Sequence, residues 1–359
     1  MVSVAQWLTA PDPGRLRWIR VEEPSAAAAV RNAAQALAGR LSFPPARAEL
    51  LVLACTEAAT NLAKHARQGT LLLQGSYDGG EPGIELVTID TGPGMPDVRA
   101  ALRDGHSTAG TLGIGLGAIR RAADFCDMYS RPGRGTTLVA RFRPQPAHSG
   151  PVQSGAAQSG PVQSGPVQSG PVRWSGLIRP IGGETECGDA YAAVRTGPVT
   201  TAMLCDGLGH GPMAAAASRE AIRAFREAPG EEPVALLERA HRRMGGTRGG
   251  AVAVVRVEGR AVRFAGIGNV AGWIVTGERR QGMVSVPGIA GHQVRKVRHY
   301  DYAIEPGAAV VLHSDGLSSR WDIRELPGLA GRDPLVIAAA LLSEAGVHRD
   351  DAGVLVLKP

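Results

Sequence analysis

The sequence predicts two α+β domains joined by a flexible tether. A charge-free, nearly regular repeat of Gln-Ser-Gly-Pro-Val runs from Ser149 to Val172 and divides the chain. On each side of it, short apolar runs bounded by Gly, Pro and Asp alternate with longer helical patterns. The carboxylates that stand out lie where those apolar runs begin or end, most of them next to glycine.

The tether follows from its composition. Proline and glycine every few residues prevent helix and interrupt strand pairing, and a five-residue unit is too short for a solenoid repeat. Its 24 residues predict an r.m.s. span of roughly 25–30 Å. The expected organisation is a first domain over 1–143, a linker over 144–172 and a second domain over 173–359. At 359 residues and 44% hydrophobic, each half can bury a core. Aromatics are only 4%, so the cores must consist mainly of Ala, Val, Leu and Ile.

Composition also excludes some classes of function. The net charge of +6 is mild and the arginines are scattered, whereas a nucleic-acid surface gathers basic residues with aromatics between them. Cys55, Cys126, Cys187 and Cys205 lie far apart with no C-x-x-C pair, as reduced, buried thiols do. The first residues lack a signal-peptide pattern, and no run approaches the roughly 20 apolar residues of a membrane span. A soluble, cytoplasmic protein with no nucleic-acid or membrane partner is expected.

In the first domain, residues 24–41 and 44–67 read as helices, the second opened by proline. Leu51, Ala54, Ala58 and Leu62 form its apolar stripe. Glu57, Asn61 and His65 stack at i, i+4 and i+8 on a neighbouring face, either a solvated face or a site with a carboxylate to take a proton and an amide oxygen to hold a metal. Residues 70–77 and 84–90 read as strands. The latter ends in Asp90-Thr91-Gly92-Pro93-Gly94, where a carboxylate could accept a hydrogen bond from an adenine amino group and the glycines let the backbone pass close to the ring. Residues 105–117 form a Gly-rich loop leading into a helix, AIRRAADFC, a setting that suits phosphate oxygens. No Gly-Lys-Ser/Thr follows, so this is not a Walker loop. A strand, TTLVARF, opens at Thr136.

Taken in order, these elements resemble the GHKL ATP-binding family, in its branch of anti-sigma-factor serine kinases, over about residues 20–143. The likeness rests on IDTGPGMPDVRAALRDGHSTAGTLGIGLGAIRRAADF. It implies a Bergerat-type α/β sandwich that binds ATP and Mg²⁺. On that likeness Asn61 holds Mg²⁺, Glu57 is the general base and Asp90 binds adenine in a pocket shaped by Gly92 and Gly94. Gly113 and Gly115 offer amides to the phosphates, and Thr137 lies near the adenine end. His65 and His106 are isolated, with no phospho-accepting histidine box around them.

In the second domain, strands are expected at 199–206, 250–257, 261–267, 271–275, 308–315 and 352–357, and helices at 211–227, 232–244 and 333–346. Asp189, Asp206, Asp315 and Asp350 all stand at strand edges. One Asp-Gly is a common turn; four such carboxylates invite convergence on a centre for hard, oxygen-loving cations. No Cys/His set has zinc spacing.

The segments GDAY, CDGLGHG, GIGNV, PGIAGHQVRKVR, HSDGL and DDAGVLVL resemble the SpoIIE-like branch of the PPM (type 2C) serine/threonine phosphatases, over about 176–358. The resemblance implies a β-sandwich flanked by helices that holds two Mn²⁺ or Mg²⁺. Asp206 would bridge the ions and act in catalysis, the Gly207 carbonyl would ligate one, and Asp189 would lie on the bridged centre. Asp315 and Asp350, the latter preferred to Asp351, would complete the other ion. His210 reads as a turn or supporting residue, and no arginine for the substrate phosphate stands out. Together the two resemblances imply a kinase and a phosphatase acting on a STAS-domain protein, with a sigma factor as a further partner. Two alternatives stay open: a phosphatase gated by a catalytically silent ATP-binding domain, and a non-catalytic module that binds a sigma factor or STAS protein.

Overall fold

The computed structural model describes residues 6–9, 16–78, 81–101, 115–145, 172–182 and 184–359. The chain divides into two compact units, one of residues 11–156 and one of residues 1–10 with 157–359. Gln6–Thr9 forms β1, which belongs to the second unit. The first unit contains β2 (Leu16–Arg20), α1 (Ala26–Arg40), α2 (Pro45–His65), β3 (Thr70–Asp78), β4 (Glu81–Ile89), the short α3 (Val98–Ala101), α4 (Gly115–Ala122), β5 (Phe125–Arg131) and β6 (Gly135–Phe142). The second continues with β7 (Arg173–Arg179), β8 (Asp189–Thr196), β9 (Val199–Gly207), α5 (Gly211–Glu227), α6 (Pro233–Met244), β10 (Gly250–Glu258), β11 (Ala261–Ile267), β12 (Ala271–Val275), β13 (Arg280–Met283), β14 (Tyr300–Ala303), β15 (Ala309–His313), α7 (Pro334–Ala345) and β16 (Ala352–Lys358).

The first unit is an antiparallel sheet in the order β2-β3-β4-β6-β5 with helices packed on it. Alternate strand residues Leu71, Leu73, Leu86, Leu138 and Phe142 meet the α2 stripe of Leu51, Ala54, Ala58 and Leu62 in one core, as the strand and helix periods require. Arg47, near the start of α2, ties the helix to the far edge of the sheet through an ion pair with Asp124 and a 3.0 Å hydrogen bond to the Arg143 carbonyl.

The sequence extends α4 through Cys126, but the helix ends at Ala122 and Phe125–Arg131 is a strand. The reason is the following RPGRG turn. Gly133 and Gly135 take φ of 74° and 90°, which folds β5 back on β6, and the apolar residues of β5 serve a sheet period rather than a helical one.

The second unit is a sandwich of two antiparallel sheets, β1-β8-β9-β10-β11-β14 and β13-β12-β15-β16-β7. Helices α5 and α6 cover the first sheet through Phe225, Leu236, Leu237 and Met244, and α7 packs on β7 and β16 of the second. Helix α7 starts with Pro334 after Asp333, whose side chain accepts from the Leu335 amide at 2.9 Å. It is apolar nearly all round and buried nearly all round. Tyr191, fully buried, donates to the Gly176 carbonyl at 2.8 Å, and a Cβ at Gly176 would stand 2.7 Å from its ring.

One expectation meets a different arrangement. Residues 6–9, placed with the first domain from the sequence, pair with β8 as the edge strand of the other unit. Most of the proposed linker, residues 146–171, lies outside the described residues. All four cysteines are buried and unpaired. Among the described residues no helix is long and apolar enough to cross a membrane.

Gly135 gives a direct test of the first unit. A Cβ there would lie 1.9 Å from the Asp90 carbonyl oxygen, on a residue with φ of 90°. Gly135→Ala is expected to cost about 2–4 kcal/mol, read as a lower urea midpoint for unfolding of the first unit. An unchanged midpoint would refute the close approach.

Candidate active sites

The first site is built on α2 and on the ends of β4 and β6. Glu57 and Asn61 sit one helical turn apart, and the first residue of α4 closes on both. A Cβ at Gly115 would stand 3.1 Å from either terminal atom of the Asn61 amide and 3.2 Å from a Glu57 carboxylate oxygen. Asn61 Nδ2 is buried without a hydrogen-bond partner among the described residues. An unsatisfied buried amide is costly, so a polar ligand beside Asn61 fits this arrangement.

Asp90 follows β4 directly. Its Oδ1 accepts from the Gly92 amide at 2.7 Å, and its own amide donates to the Thr136 carbonyl at 3.0 Å. Burial pushes its carboxyl above the ordinary value, and backbone hydrogen bonds from Gly92 and Thr136 to the carboxyl partly offset the rise. Thr137, also buried, faces Ile89 across the β4–β6 pair. Gly94 has φ of 65°, and a Cβ there would lie 1.9 Å from the Arg131 carbonyl oxygen. The Met95 amide donates to Ser130 Oγ at 2.8 Å, and the Gly133 amide to the Pro93 carbonyl at 2.7 Å. These bonds lace the 90–95 segment to the β5–β6 hairpin. Gly113 and His106 lie outside the described residues. His65 is exposed at the end of α2.

The second site is built where β8, β9, β15 and β16 begin or end. Asp189 and Asp206 are direct partners across the β8–β9 pair. The Gly207 amide donates to the Gly188 carbonyl at 3.1 Å. Asp315 follows β15, and its Oδ2 accepts from Asn269 Nδ2 at 2.6 Å. Asp206 and Asp315 share a side-chain hydrogen bond, and Asp350 adds its charge to both. Ser314 Oγ donates to Asp189 Oδ2 at 2.6 Å and accepts from the Gly353 amide at 2.9 Å. Asp351 is committed elsewhere: its two oxygens accept from the Ile181 and Gly188 amides, each at 2.7 Å. His210 is exposed, with Nδ1 3.2 Å from Glu184.

Burial, then mutual repulsion, raises these carboxyls. Asp189 stands well above the carboxylate range, Asp206 is pushed up to about 8, and Asp315 is raised. The expected closed ligand set is not formed as such: among the described residues no group of three or more His, Cys, Asp or Glu side chains is arranged to hold a metal ion. Carboxyls this close raise one another, because each ionised group disfavours ionisation of the next. The donor chemistry nonetheless fits hard cations. Asp189 Oδ1 is buried without a partner, and the other oxygens are carboxylates that a divalent charge would release from protonation.

The sequence missed three supporting residues. Ser314 and Asn269 stand inside the quoted HSDGL and GIGNV segments, so position beside an aspartate-bearing strand end was their signal. Ser130 carried none, because its hydrogen bonds join residues brought together only by the hairpin.

A GHKL-like ATP-binding unit joined to a PP2C-like unit is the class these folds define. Residues 21–142 match the Histidine kinase-like ATPase domain and residues 197–358 match Stage II sporulation protein E (SpoIIE). Serine/threonine-protein kinase RsbT of Bacillus subtilis (strain 168) is 33% identical over 112 residues, 31% of this chain and 84% of that protein. The chain belongs to the RsbT family through its first unit, and its second unit is similar to SpoIIE. Among solved structures, a chain described under the bacterial stressosome, a modular system adapted to control secondary messenger signaling, is 26% identical, with a TM-score of 0.49, over 52% of this chain and 99% of that one. RsbX in complex with magnesium is 18% identical, with a TM-score of 0.47, over 52% of this chain and 94% of that one.

The raised carboxyls fix the sign of a pH effect. In chelator, folded Asp206 keeps its proton to about pH 8, whereas an unfolded aspartate loses it near its ordinary value of 3.8. Stability from this group is therefore fully present below about pH 4 and is lost as pH rises toward 8. Melting in EDTA is expected to fall across that window, Mn²⁺ to restore more stability at the upper end than at the lower, and Asp206→Asn to flatten both trends. A melting temperature in EDTA that rises across the window would contradict the cluster.

Proposed function

We propose that the chain is a bifunctional partner-switching regulator. Its first unit phosphorylates, and its second unit dephosphorylates, a Ser or Thr on a STAS-domain protein, and a sigma factor is a further partner in the cascade. The observation that carries this reading is that one chain holds both chemical sets: Glu57 with Asn61 in an RsbT-type unit, and the aspartates at strand edges in a SpoIIE-type unit. The cellular setting proposed is the cytoplasm.

In the first unit, the Asn61 amide oxygen would hold Mg²⁺, which supplies charge neutralisation on the ATP phosphates. Asp90, with Oδ1 held by the Gly92 amide, would accept an adenine amino hydrogen. Gly92, Gly94 and Thr137 leave room for the ring, and the Gly113 and Gly115 amides would donate to phosphate oxygens. Glu57 would take the proton from the acceptor hydroxyl as its oxygen bonds to the γ-phosphorus and the bond to the bridging oxygen breaks, releasing ADP.

In the second unit, Asp189, Asp206, the Gly207 carbonyl, Asp315 and Asp350 would hold two Mn²⁺ or Mg²⁺. Bound there, such a pair supplies charge neutralisation and an activated water for in-line attack on a phosphoester. Ser314 orients Asp189, Asn269 orients Asp315, and Asp351 anchors the loop before β8, so the chain's own hydrogen bonds aim the carboxylates.

The test uses a STAS protein encoded near this chain, mixed with ATP, Mg²⁺ and Mn²⁺, with phosphate on the partner followed by mass. Asp206→Ala is expected to accumulate phosphorylated partner. Glu57→Ala is expected to lose about 10²- to 10⁴-fold of the phosphorylation rate while retaining ATP binding. If Asp206→Ala leaves the partner bare while wild type strips pre-phosphorylated partner, the first unit is a nucleotide-dependent gate and the kinase assignment falls. Separately, Asp90→Ala is expected to weaken ATP binding at least about tenfold in a calorimetric titration, from loss of one hydrogen bond to a buried charged acceptor; equal affinity would remove Asp90 from the adenine pocket.

A further inference from the structure

We propose that Arg248 binds the phosphoryl group of the substrate at the aspartate site of the second unit. This rests on reading that unit as a phosphatase and supplies a residue that the sequence left unidentified.

The backbone at Arg248 is held from several sides. Thr247 Oγ donates to the Met244 carbonyl at 2.8 Å and accepts from the Gly249 amide at 3.0 Å. The Leu208 amide donates to the Gly249 carbonyl at 2.9 Å, and Gly250 pairs with Gly207 in the β9–β10 ladder. His292 Nε2 lies 3.0 Å from the Arg248 carbonyl, and its ring fills the space where Gly249 lacks a side chain, 2.7 Å from a Cβ position there. The root of Arg248 is thus fixed to the segment that begins with Asp206 and Gly207.

Its side chain is exposed and reaches back over that segment. Nη1 stands 3.1 Å from where a Cβ of Gly209 would be, and Gly209 has φ of 87°. The Gly209 carbonyl in turn lies 3.4 Å from a Cβ position at Gly188, the residue before Asp189. Glycine at 209 is favoured by its left-handed backbone, and the guanidinium lies close above it.

Among the described residues no carboxylate pairs with Arg248. By contrast, Arg219, Arg239, Arg243 and Arg263 are each paired with glutamate. A guanidinium that reaches over the segment following Asp206 and Gly207, and that pairs with no carboxylate among the described residues, keeps its donors for another anion. Its planar fork matches two oxygens of a phosphomonoester. Placed at the rim, it would hold the phosphoryl group over the carboxylates.

The experiment compares full-length wild type, Arg248→Ala and Arg248→Lys, loaded with Mn²⁺. Turnover of p-nitrophenyl phosphate and of a phosphoserine peptide is measured, and inorganic phosphate is titrated calorimetrically. Arg248→Ala is expected to raise KM and the phosphate Kd about 10- to 100-fold, the range for losing hydrogen bonds to a charged group. Arg248→Lys should fall between, as a point charge without the fork. Mn²⁺ affinity and melting temperature should stay within about twofold and 2 °C of wild type, which separates substrate grip from folding. Phosphate Kd values equal within twofold for wild type and Arg248→Ala, or no phosphate binding by wild type, overturn the proposal. Absence of turnover by wild type with phosphate binding intact would instead overturn the phosphatase reading, and the phosphate titration would still decide Arg248.

Discussion

Electrostatic repulsion among aspartates that the sandwich forces together organises the second unit. Antiparallel pairing of β8 with β9 sets Asp189 opposite Asp206, and the ends of β15 and β16 bring Asp315 and Asp350 to the same edge. Taking like charges out of water in one place is unfavourable. The surrounding structure answers with aimed donors: Ser314 for Asp189, Asn269 for Asp315, and two backbone amides for Asp351. Even so, burial and repulsion still raise the Asp206 carboxyl, and among the described residues Asp189 Oδ1 is unmatched. A fold that gathers carboxylates in this way has the donor chemistry that suits hard cations.

The first unit meets a different constraint, the close approach of backbones. Two glycines stand where any side chain would collide, Gly94 against the Arg131 carbonyl and Gly135 against the Asp90 carbonyl, and a third, Gly115, is closely faced by Asn61 and Glu57. The first two allow the segment after β4 to lie against the β5–β6 hairpin, which holds Asp90 beside Thr137. The third allows α4 to start against the polar face of α2. The backbone of the candidate site is thus shaped by residues with no chemistry of their own.

Much of this was legible because periodicity and site chemistry coincided. On α2 the apolar stripe and the Glu57/Asn61 pair occupy adjacent faces. In the second unit the predicted strands at 199–206, 250–257, 261–267 and 271–275 correspond closely to β9 to β12. What escaped depended on distant partners. The four residues of β1 have no pattern of their own and acquire a strand only from β8, far along the chain. The run from Ala118 to Cys126 is apolar enough for a helix, and only the left-handed glycines after β5 select a hairpin. Asp350 and Asp351 are chemically identical in a sequence; their different surroundings appear only when Ile181 and Gly188 are seen to donate to the second. Arg248 left no trace because the residue it overlies is a glycine.

On the proposed reading, fusion changes what the two activities can control. With a separate kinase and phosphatase, the phosphorylated fraction of a shared substrate depends on how much of each protein is present. On one chain their ratio is fixed, and the fraction depends on the ratio of the two turnover rates. A tether of the predicted length would also place each site at an effective concentration on the order of millimolar for a substrate held by the other. Expression level then sets how fast the phosphorylated fraction adjusts, rather than its value. That value would follow the conditions that act on one site and not the other: ATP at the Asn61 pocket, and divalent cation and proton concentration at the aspartates. The raised carboxyl of Asp206 places the second dependence within reach of ordinary pH, because cation binding there must first displace a proton.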